Sequence, residues 1–218
     1  MLERFIQSVQ TEAAPEGTPG ATRERLKARF APGAARRMTL LGMMVGSTLP
    51  PDAPSADDAV VYSSVYGESP ALEQYLDSFP TPSPTLFQTS IHPSGVQQSL
   101  IGRQQAVREF FPLTGSGELP VQAALAALLT PAARVLWSGG DERGSWLREN
   151  GAAGDRSFAF TLVLARGRSA QSIGRIAVAP APEAAGALAL PVWFDLLHGR
   201  RPWRGAAGTG WTLELEWW

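Results

Sequence analysis

The chain has 218 residues and a formal net charge of −1 at neutral pH; hydrophobic residues make up 44% of it and charged residues 18%. This composition excludes a chain that is disordered as a whole, and the length is enough for one substantial core. The near-zero charge argues against nucleic acid or an anionic membrane as the main ligand. Cysteine is absent, which excludes disulfides, thiolate chemistry and zinc sites with cysteine ligands.

The first residues do not form a targeting signal, because they include acids and lack an apolar core. No run approaches the ~18 apolar residues of a membrane span, so the expectation is a soluble cytoplasmic protein. Residues 1–35 are rich in Pro, Gly, Ala and Arg after a short apolar start, which predicts an N-terminal extension or weakly ordered start. Residues 36–218 are expected to form a single domain, with a C-terminal extension from about residue 168 to 218.

Helix and strand patterns alternate along the middle of the chain. Apolar periodicity predicts helices over 38–45, 69–79, part of 85–105 and 119–129, and strands over 59–67, 106–114, 133–142 and 157–167. This alternation predicts an α/β fold with a mostly parallel mixed sheet and helices packed on its faces. The last two of these strands are consecutive, so we expect them to form an antiparallel edge.

Two amphipathic patterns specify which side chains share a face. The helix over 69–79 places Leu72, Tyr75, Leu76 and Phe79 on one face. Beyond Pro180, the sequence predicts a short helix, "VWFDLLHG", and a last strand, "WTLELEWW". In that strand the two leucines and two of the tryptophans alternate with Thr and Glu, which is typical of a half-exposed strand at a sheet edge.

The segment "TGSGELPVQAAL" (114–125) raises the question of a nucleophile at Ser116. Serine needs a base within hydrogen-bond reach, and the sequence contains only His92 and His198. The G-x-S-x-G pattern of a hydrolase elbow is not met, because both glycines adjoin the serine. The favoured interpretation is that Ser116 or Glu118 caps a helix with Pro120 in its first turn.

Four segments together resemble the N-terminal half of a β-ketoacyl synthase, which has a thiolase-like fold. They are "RRMTLLG" (36–42), "SPTLFQTSIHPSG" (83–95), "PLTGSGELPVQAAL" (112–125) and "RVLWSGGDE" (134–142). They look most like the shortened ketoacyl-synthase-like proteins of aryl polyene and xanthomonadin-type pigment biosynthesis. The resemblance spans about residues 35–165 and implies an α/β thiolase-like half-fold.

The resemblance places the synthase nucleophile at Glu118, with Ser116 as its neighbour. A carboxylate cannot replace a thiolate in thioester acyl transfer, because the resulting anhydride would hydrolyse. The two catalytic histidines of a synthase lie in its C-terminal half and have no expected counterparts here. The resemblance therefore implies a chain with no catalytic residue of its own and with no cofactor or metal.

A non-catalytic chain of this kind would act as a chain-length-factor-like subunit. The resemblance implies a heterodimer with a full-length β-ketoacyl synthase, or a homodimer, in aryl polyene, fatty-acid-like or polyketide chain elongation. In this interpretation "VREFFPL" is the pairing strand. The residues expected at the partner interface or acyl tunnel are Phe110, Phe111, Leu113 and His92. The alternative is that the two phenylalanines are ordinary core and that His92 is structural.

Other features leave further alternatives open. The basic cluster Arg200, Arg201 and Arg204 could dock an acidic acyl carrier protein, or could be a solvated loop with arginine stacked on Trp203. "GGDERG" is more typical of a turn than of a metal site. The competing function classes are a small serine hydrolase or acyltransferase-like enzyme, using Ser116 or Ser94 with His92, and a free-standing structural or regulatory protein.

Overall fold

The structure is a computed structural model that describes residues 1–115 and 117–218. The strands are β1 (Leu2–Ala14), β2 (Ala59–Ser64), β3 (Glu109–Thr114), β4 (Arg134–Asp141), β5 (Ser157–Ala165), β6 (Gly174–Pro180), β7 (Trp203–Gly208) and β8 (Trp211–Trp217). The helices are α1 (Pro19–Lys27), α2 (Pro32–Ala35), α3 (Leu40–Thr48), α4 (Ser69–Asp77), α5 (Pro84–Ser90), α6 (Ser94–Arg103), α7 (Leu119–Leu129), α8 (Trp146–Glu149) and α9 (Leu190–His198).

The strands form one mixed sheet in the order β3-β2-β4-β5-β1-β6-β8-β7. Strand β2 pairs in parallel with β3 and with β4, while the remaining pairs are antiparallel. The predicted α/β fold with a mixed sheet is therefore confirmed, but the prediction of mostly parallel strands is wrong. The parallel part is confined to the β3-β2-β4 side, and on the other side the short β7–β8 turn requires antiparallel pairing of those two strands.

Helices cover both faces of the sheet. One apolar core lies between the sheet and helices α7 and α9, and its largest fully buried side chains include Trp137 and Trp193, with ring centroids 5.0 Å apart. The other core lies between the sheet and helices α1, α2, α3 and α6 and contains Met43 and Met44. The predicted helices over 38–45 and 119–129 are therefore both confirmed as buried layers of the fold.

The first residues differ from the prediction of a weakly ordered start over 1–35. Residues 2–14 form β1, which lies inside the sheet between β5 and β6. Its Arg4 is buried, and the guanidinium donates hydrogen bonds to the carbonyl oxygens of Thr130 (2.7 Å) and Ala132 (2.9 Å). These bonds compensate part of the cost of burying an arginine, a residue type that the sequence pattern predicts at the surface. The division of the chain into domains otherwise stays a prediction.

The C-terminal part also differs from expectation. Strands β4 and β5 pair antiparallel, as predicted, but lie inside the sheet because β1 pairs with the outer side of β5. Strand β8 buries Leu213 and Leu215 on one side, as its alternation predicts, yet β6 and β7 flank it, so it is not an edge. The residues from about 168 onward thus contribute three strands and α9 to the same sheet and core.

The predicted apolar face of helix α4 is not its buried face. The buried residues of α4 are Ser69, Ala71 and Glu73, whereas Leu76 is 40% exposed. The aromatic residues of this face pack on each other and on α5, as in the pair Tyr75 and Phe87, whose ring centroids lie 5.3 Å apart. Helix α5 itself has no buried residue among those described. This region of the surface therefore remains partly apolar.

Candidate functional site

Strand β3 forms one edge of the sheet, and no further described strand lies beyond it. It pairs with β2 in an unbroken parallel register from Glu109 to Thr114. Phe110 packs against the core on the α3 side, while Phe111 and Leu113 pack against the core on the α7 side. These three side chains are only partly buried. The predicted pairing strand therefore offers an open backbone edge flanked by apolar side chains on both faces.

Glu118, where the resemblance places the synthase nucleophile, directly precedes helix α7. The predicted capping by Glu118 is wrong, since its side chain makes no capping hydrogen bond to the helix. Its Oε1 instead accepts a hydrogen bond from the backbone N–H of Thr209, at 2.7 Å, in the turn between β7 and β8. This bond from Thr209 lowers the pKa of Glu118 and holds the residue as a carboxylate.

The β7–β8 turn approaches the start of α7 closely. A Cβ atom on Gly208 would lie 2.8 Å from Val121 Cγ1 and 3.4 Å from Glu118 Cγ. Only glycine leaves room for this approach. The C-terminal hairpin therefore lies against the helix start at which the resemblance places a nucleophile.

The serine candidates differ in what the structure shows. Ser116 lies outside the described residues. Ser94 is buried at the start of α6, and its hydroxyl donates to the carbonyl oxygen of Thr89 at 2.8 Å. Neither ring nitrogen of His92 has a hydrogen-bond partner among the described residues. The structure therefore shows no serine–histidine pair at Ser94, and the hydrolase alternative is not favoured.

His92 was expected at the partner interface with the β3 residues, but it lies between α5 and α6 and contacts Tyr62 of β2. Its ring stacks on Tyr62, with centroids 5.2 Å apart and planes inclined by 22°, and its Nδ1 lies 3.6 Å from Glu68 Oε2. The other oxygen of Glu68 accepts from the N–H of Gly95 at 2.7 Å, at the start of α6. Burial raises the pKa of Tyr62, and the Glu68 carboxylate adds to this effect. Its contacts with Tyr62 and Glu68 give His92 a packing role in this part of the fold.

Two further acids lie at the C-terminal end of β4. One oxygen of Asp141 accepts hydrogen bonds from the Ser64 hydroxyl and from the N–H groups of Val65 and Tyr66. Glu142 accepts from the N–H of Leu41 at 3.1 Å. Burial raises the pKa of Asp141 to about 6 and that of Glu142 to about 7. Within "GGDERG", Asp141 thus stabilises the loop after β2, and Glu142 stabilises the start of α3, by accepting backbone hydrogen bonds.

The cluster Arg200, Arg201 and Arg204 lies on the surface beside β7. Arg204 is 81% exposed and lies 3.7 Å from a carboxylate oxygen of Glu214 on β8. The segment predicted as a loop forms strand β7 from Trp203 onward, because β8 supplies a hairpin partner. These arginines do not meet the β3 edge, which lies at the opposite end of the sheet.

A second basic region was not singled out from the sequence. Residues 22–37 contain six basic residues and one acidic residue, in a chain whose net charge is −1. The signal was present in the charge pattern of "TRERLKARFAPGAARR". Because arginine is frequent along the whole chain, the excess of basic residues over 22–37 does not stand out from the sequence alone. The structure places this region on α1, α2 and the following turn.

The sequence matches no protein-family model and shows no match among curated proteins. Solved structures, in contrast, match the fold. The chain aligns over 99% of its length, with a TM-score of 0.67 and 20% identity, to the whole of one chain of the ketosynthase ApeO in complex with its chain length factor ApeC from Xenorhabdus doucetiae. The chain has a ketosynthase-like, thiolase-type fold.

Two further structures place the same fold in longer chains. The ishigamide ketosynthase/chain length factor aligns with a TM-score of 0.54 and 10% identity, over 83% of this chain and 68% of that one. A β-ketoacyl synthase from Burkholderia phymatum STM815 aligns with a TM-score of 0.60 and 11% identity, over 84% of this chain and 65% of that one. Within the described residues, no helix is long and apolar enough to cross a membrane.

Proposed function

We propose that the chain is a non-catalytic, chain-length-factor-like subunit that pairs with a full-length β-ketoacyl synthase. The observation that carries this proposal is the match over nearly the whole chain to one complete chain of a ketosynthase–chain length factor complex. The Burkholderia synthase is covered over only 65% of its length.

The chemistry of the helix start supports a subunit without condensing activity. Acyl transfer in a synthase needs a thiolate nucleophile, and the sequence contains no cysteine. Glu118 stands where the resemblance places that nucleophile, and its carboxylate is engaged by the N–H of Thr209. A carboxylate with a lowered pKa is a poor nucleophile and a poor general base near neutral pH.

Strand β3 is the surface through which we expect the synthase to pair. Adding a strand to an open edge continues the sheet with backbone hydrogen bonds, and the flanking Phe110, Phe111 and Leu113 would gain burial. Each Å² of apolar surface covered contributes about 25 cal/mol. A homodimer through the same strand is the alternative, and its mass in solution differs from that of a heterodimer.

Finer features of the function are also proposals. We place the subunit in aryl polyene, fatty-acid-like or polyketide chain elongation in the cytoplasm, with an acyl carrier protein as a further partner. Exposure of Arg200, Arg201 and Arg204 supports docking of an acidic carrier at this surface. A fall in condensation rate in the triple alanine variant, with the heterodimer intact, would support this assignment.

The experiment is a reconstitution with a full-length β-ketoacyl synthase from the same organism, which we expect to be encoded beside this chain. We expect the two proteins to copurify and to extend malonyl- and acyl-carrier-protein substrates, while the 218-residue chain alone shows no condensation. Glu118→Cys is expected to remain inactive alone, because a thiol supplies only one part of the machinery. Condensation by the isolated wild-type chain, or failure to associate with any synthase, would contradict the proposal.

Ser116→Ala separates the proposal from the hydrolase alternative. As a capping change it should leave the activity of the complex intact and cost at most about 1 kcal/mol of stability. A collapse of turnover in a variant that remains folded by circular dichroism would instead support an enzyme that uses Ser116.

A further inference from the structure

A surface groove runs between α2 on one side and α5 on the other. It consists of two adjoining clefts, with volumes of about 420 and 670 Å³, that share Arg37, Met38, Thr85 and Thr89 in their walls. Each volume lies in the range that small-molecule ligands occupy in proteins. The groove is lined by residues of helices and of the turn before α3, and none of the described β3 residues lines it.

One end of the groove is basic. Arg23, Arg36 and Arg37 line this end, and the Arg23 guanidinium is oriented by donating to the carbonyl oxygen of Met38 at 2.8 Å. Arg36 and Arg37 are exposed, and their guanidinium groups have no ion-pair or hydrogen-bond partner among the described residues. Glu142 also lines this end, and its pKa of about 7 keeps much of its carboxyl neutral near pH 7. Guanidinium groups placed in this way favour carboxylate or phosphate ligands.

The other end presents more apolar than polar surface, although Gln88, Gln97 and Gln98 also line it. Ile101 lines it and is 74% exposed, and Ala34 and Gly102 lie beside it. Helix α5 forms the opposite wall with Thr85 and Thr89 and has no buried residue among those described. Covering an exposed isoleucine with an aliphatic chain is favourable, by about 25 cal/mol per Å².

We propose that this groove binds a single-chain amphiphile, with its anionic head on Arg36 and Arg37 and its aliphatic chain along Ile101. The head is a carboxylate or a phosphate, since both suit the paired guanidinium groups. The basic end, the apolar end and the four shared wall residues together fit a ligand with one charged end and one apolar end. The proposal is separate from pairing with a synthase, because it rests on residues of this chain and its test uses the isolated chain.

The test is isothermal titration of the full 218-residue chain below the critical micelle concentration of each ligand. We expect saturable binding of decanoate and of decyl phosphate, and the tighter of the two identifies the head group. Decanol and inorganic phosphate should each bind at least tenfold more weakly, since each lacks one of the two ends. Decyltrimethylammonium, with the opposite charge, should not bind.

Matched variants locate the site. Arg36→Gln combined with Arg37→Gln should weaken decanoate binding at least tenfold, while Arg200→Gln combined with Arg201→Gln should change it less than twofold. Ile101→Asn should weaken it, whereas Val192→Asn, at an exposed position on α9, should not. The replaced arginines, Ile101 and Val192 are all exposed, so we expect each variant to fold. Absence of saturable binding, equal binding of the cationic amphiphile, or equal losses in the two arginine pairs would overturn the proposal.

Discussion

The two edges of the sheet differ in almost every property that governs strand pairing. Strand β3 pairs with β2 in an unbroken register and presents Phe110 and Phe111 beside its open edge. Strand β7 pairs with β8 through an irregularity between Ala206 and Gly208 and carries the exposed Arg204. Bulges and charges of this kind protect an edge from pairing with another chain.

The difference indicates that the β7 edge is protected from pairing with another strand, whereas the β3 edge is open to it. Gly186, in the segment before α9, lies against β7, where its Cβ position is 3.1 Å from the Ala206 side chain. No described strand lies outside β3, although Pro112 removes one backbone donor from it. A partner strand is therefore expected at β3 and not at β7.

The largest effect is expected from a charge on the open edge. Phe110→Glu should abolish co-elution with the synthase, because a carboxylate would be buried in the new sheet without a partner. Pro112→Glu, at an exposed position, should weaken the complex without loss of core packing. Size-exclusion chromatography measures both, with circular dichroism to confirm folding.

The control for the edge variants is Val192→Glu, which places the same charge at a half-exposed site on α9. This variant should co-elute with the synthase as the wild type does. A folded Phe110→Glu variant that still co-elutes would show that β3 is not the interface.

The second prediction concerns the pH dependence of stability, through the acid Glu142 that follows β4 on the parallel side of the sheet. Glu142 has a pKa of about 7 in the folded chain, against an ordinary value of 4.5. Between these values the folded state retains a proton that the unfolded state has released, so stability should fall as pH rises from about 4.5 to 7. The fall from this residue is at most about 3 kcal/mol, and Asp141 adds to it in the same direction.

Glu142→Gln tests this sign directly. The variant should match the wild type at pH 4 and exceed its free energy of unfolding at pH 8, because glutamine can accept the Leu41 N–H without carrying a charge. Urea denaturation at several pH values measures the difference. Glu149→Gln, at an exposed position, should have the same pH dependence as the wild type. A Glu142→Gln variant that is less stable than wild type at pH 8 would refute the assignment.

The smallest effect concerns the bond between the start of α7 and the β7–β8 turn. Glu118→Ala removes the acceptor of the Thr209 N–H, so hydrogen exchange at that amide should accelerate while the β6–β8 pairing stays protected. Glu118→Gln retains an oxygen acceptor and should remain closer to the wild type. Equal exchange at Thr209 in all three proteins would show that this bond does not hold the turn.

Local patterns predicted the central elements because their signals were strong. The Ala- and Leu-rich run that follows Pro120 predicts α7, and the β-branched run ending near Ser64 predicts β2. Strand β1 was missed because it pairs with distant segments, β5 and β6, and because Arg4 is typical of a surface residue although its guanidinium donates to carbonyl oxygens of a distant segment. Strand β7 was missed because its glycines carry little strand propensity, and only β8 stabilises it.

For the candidate site too, local features could be predicted from the sequence, whereas contacts between distant residues could not. The sequence predicted strand β3 and a helix directly after Glu118, since both follow from local patterns, whereas pairing through β3 stays a prediction. The bond from Thr209 to Glu118 joins residues 91 positions apart, and no local pattern encodes it. The stacking of His92 on Tyr62 likewise depends on the tertiary fold.

Hydrogen exchange measured by mass spectrometry, on the chain alone and with its synthase, tests the central claim most directly. We predict that residues 109–114 of β3 gain protection in the complex, while residues 203–208 of β7 exchange at an unchanged rate. Protection gained at β7 with none at β3, in a complex whose formation is confirmed by its mass, would contradict the account.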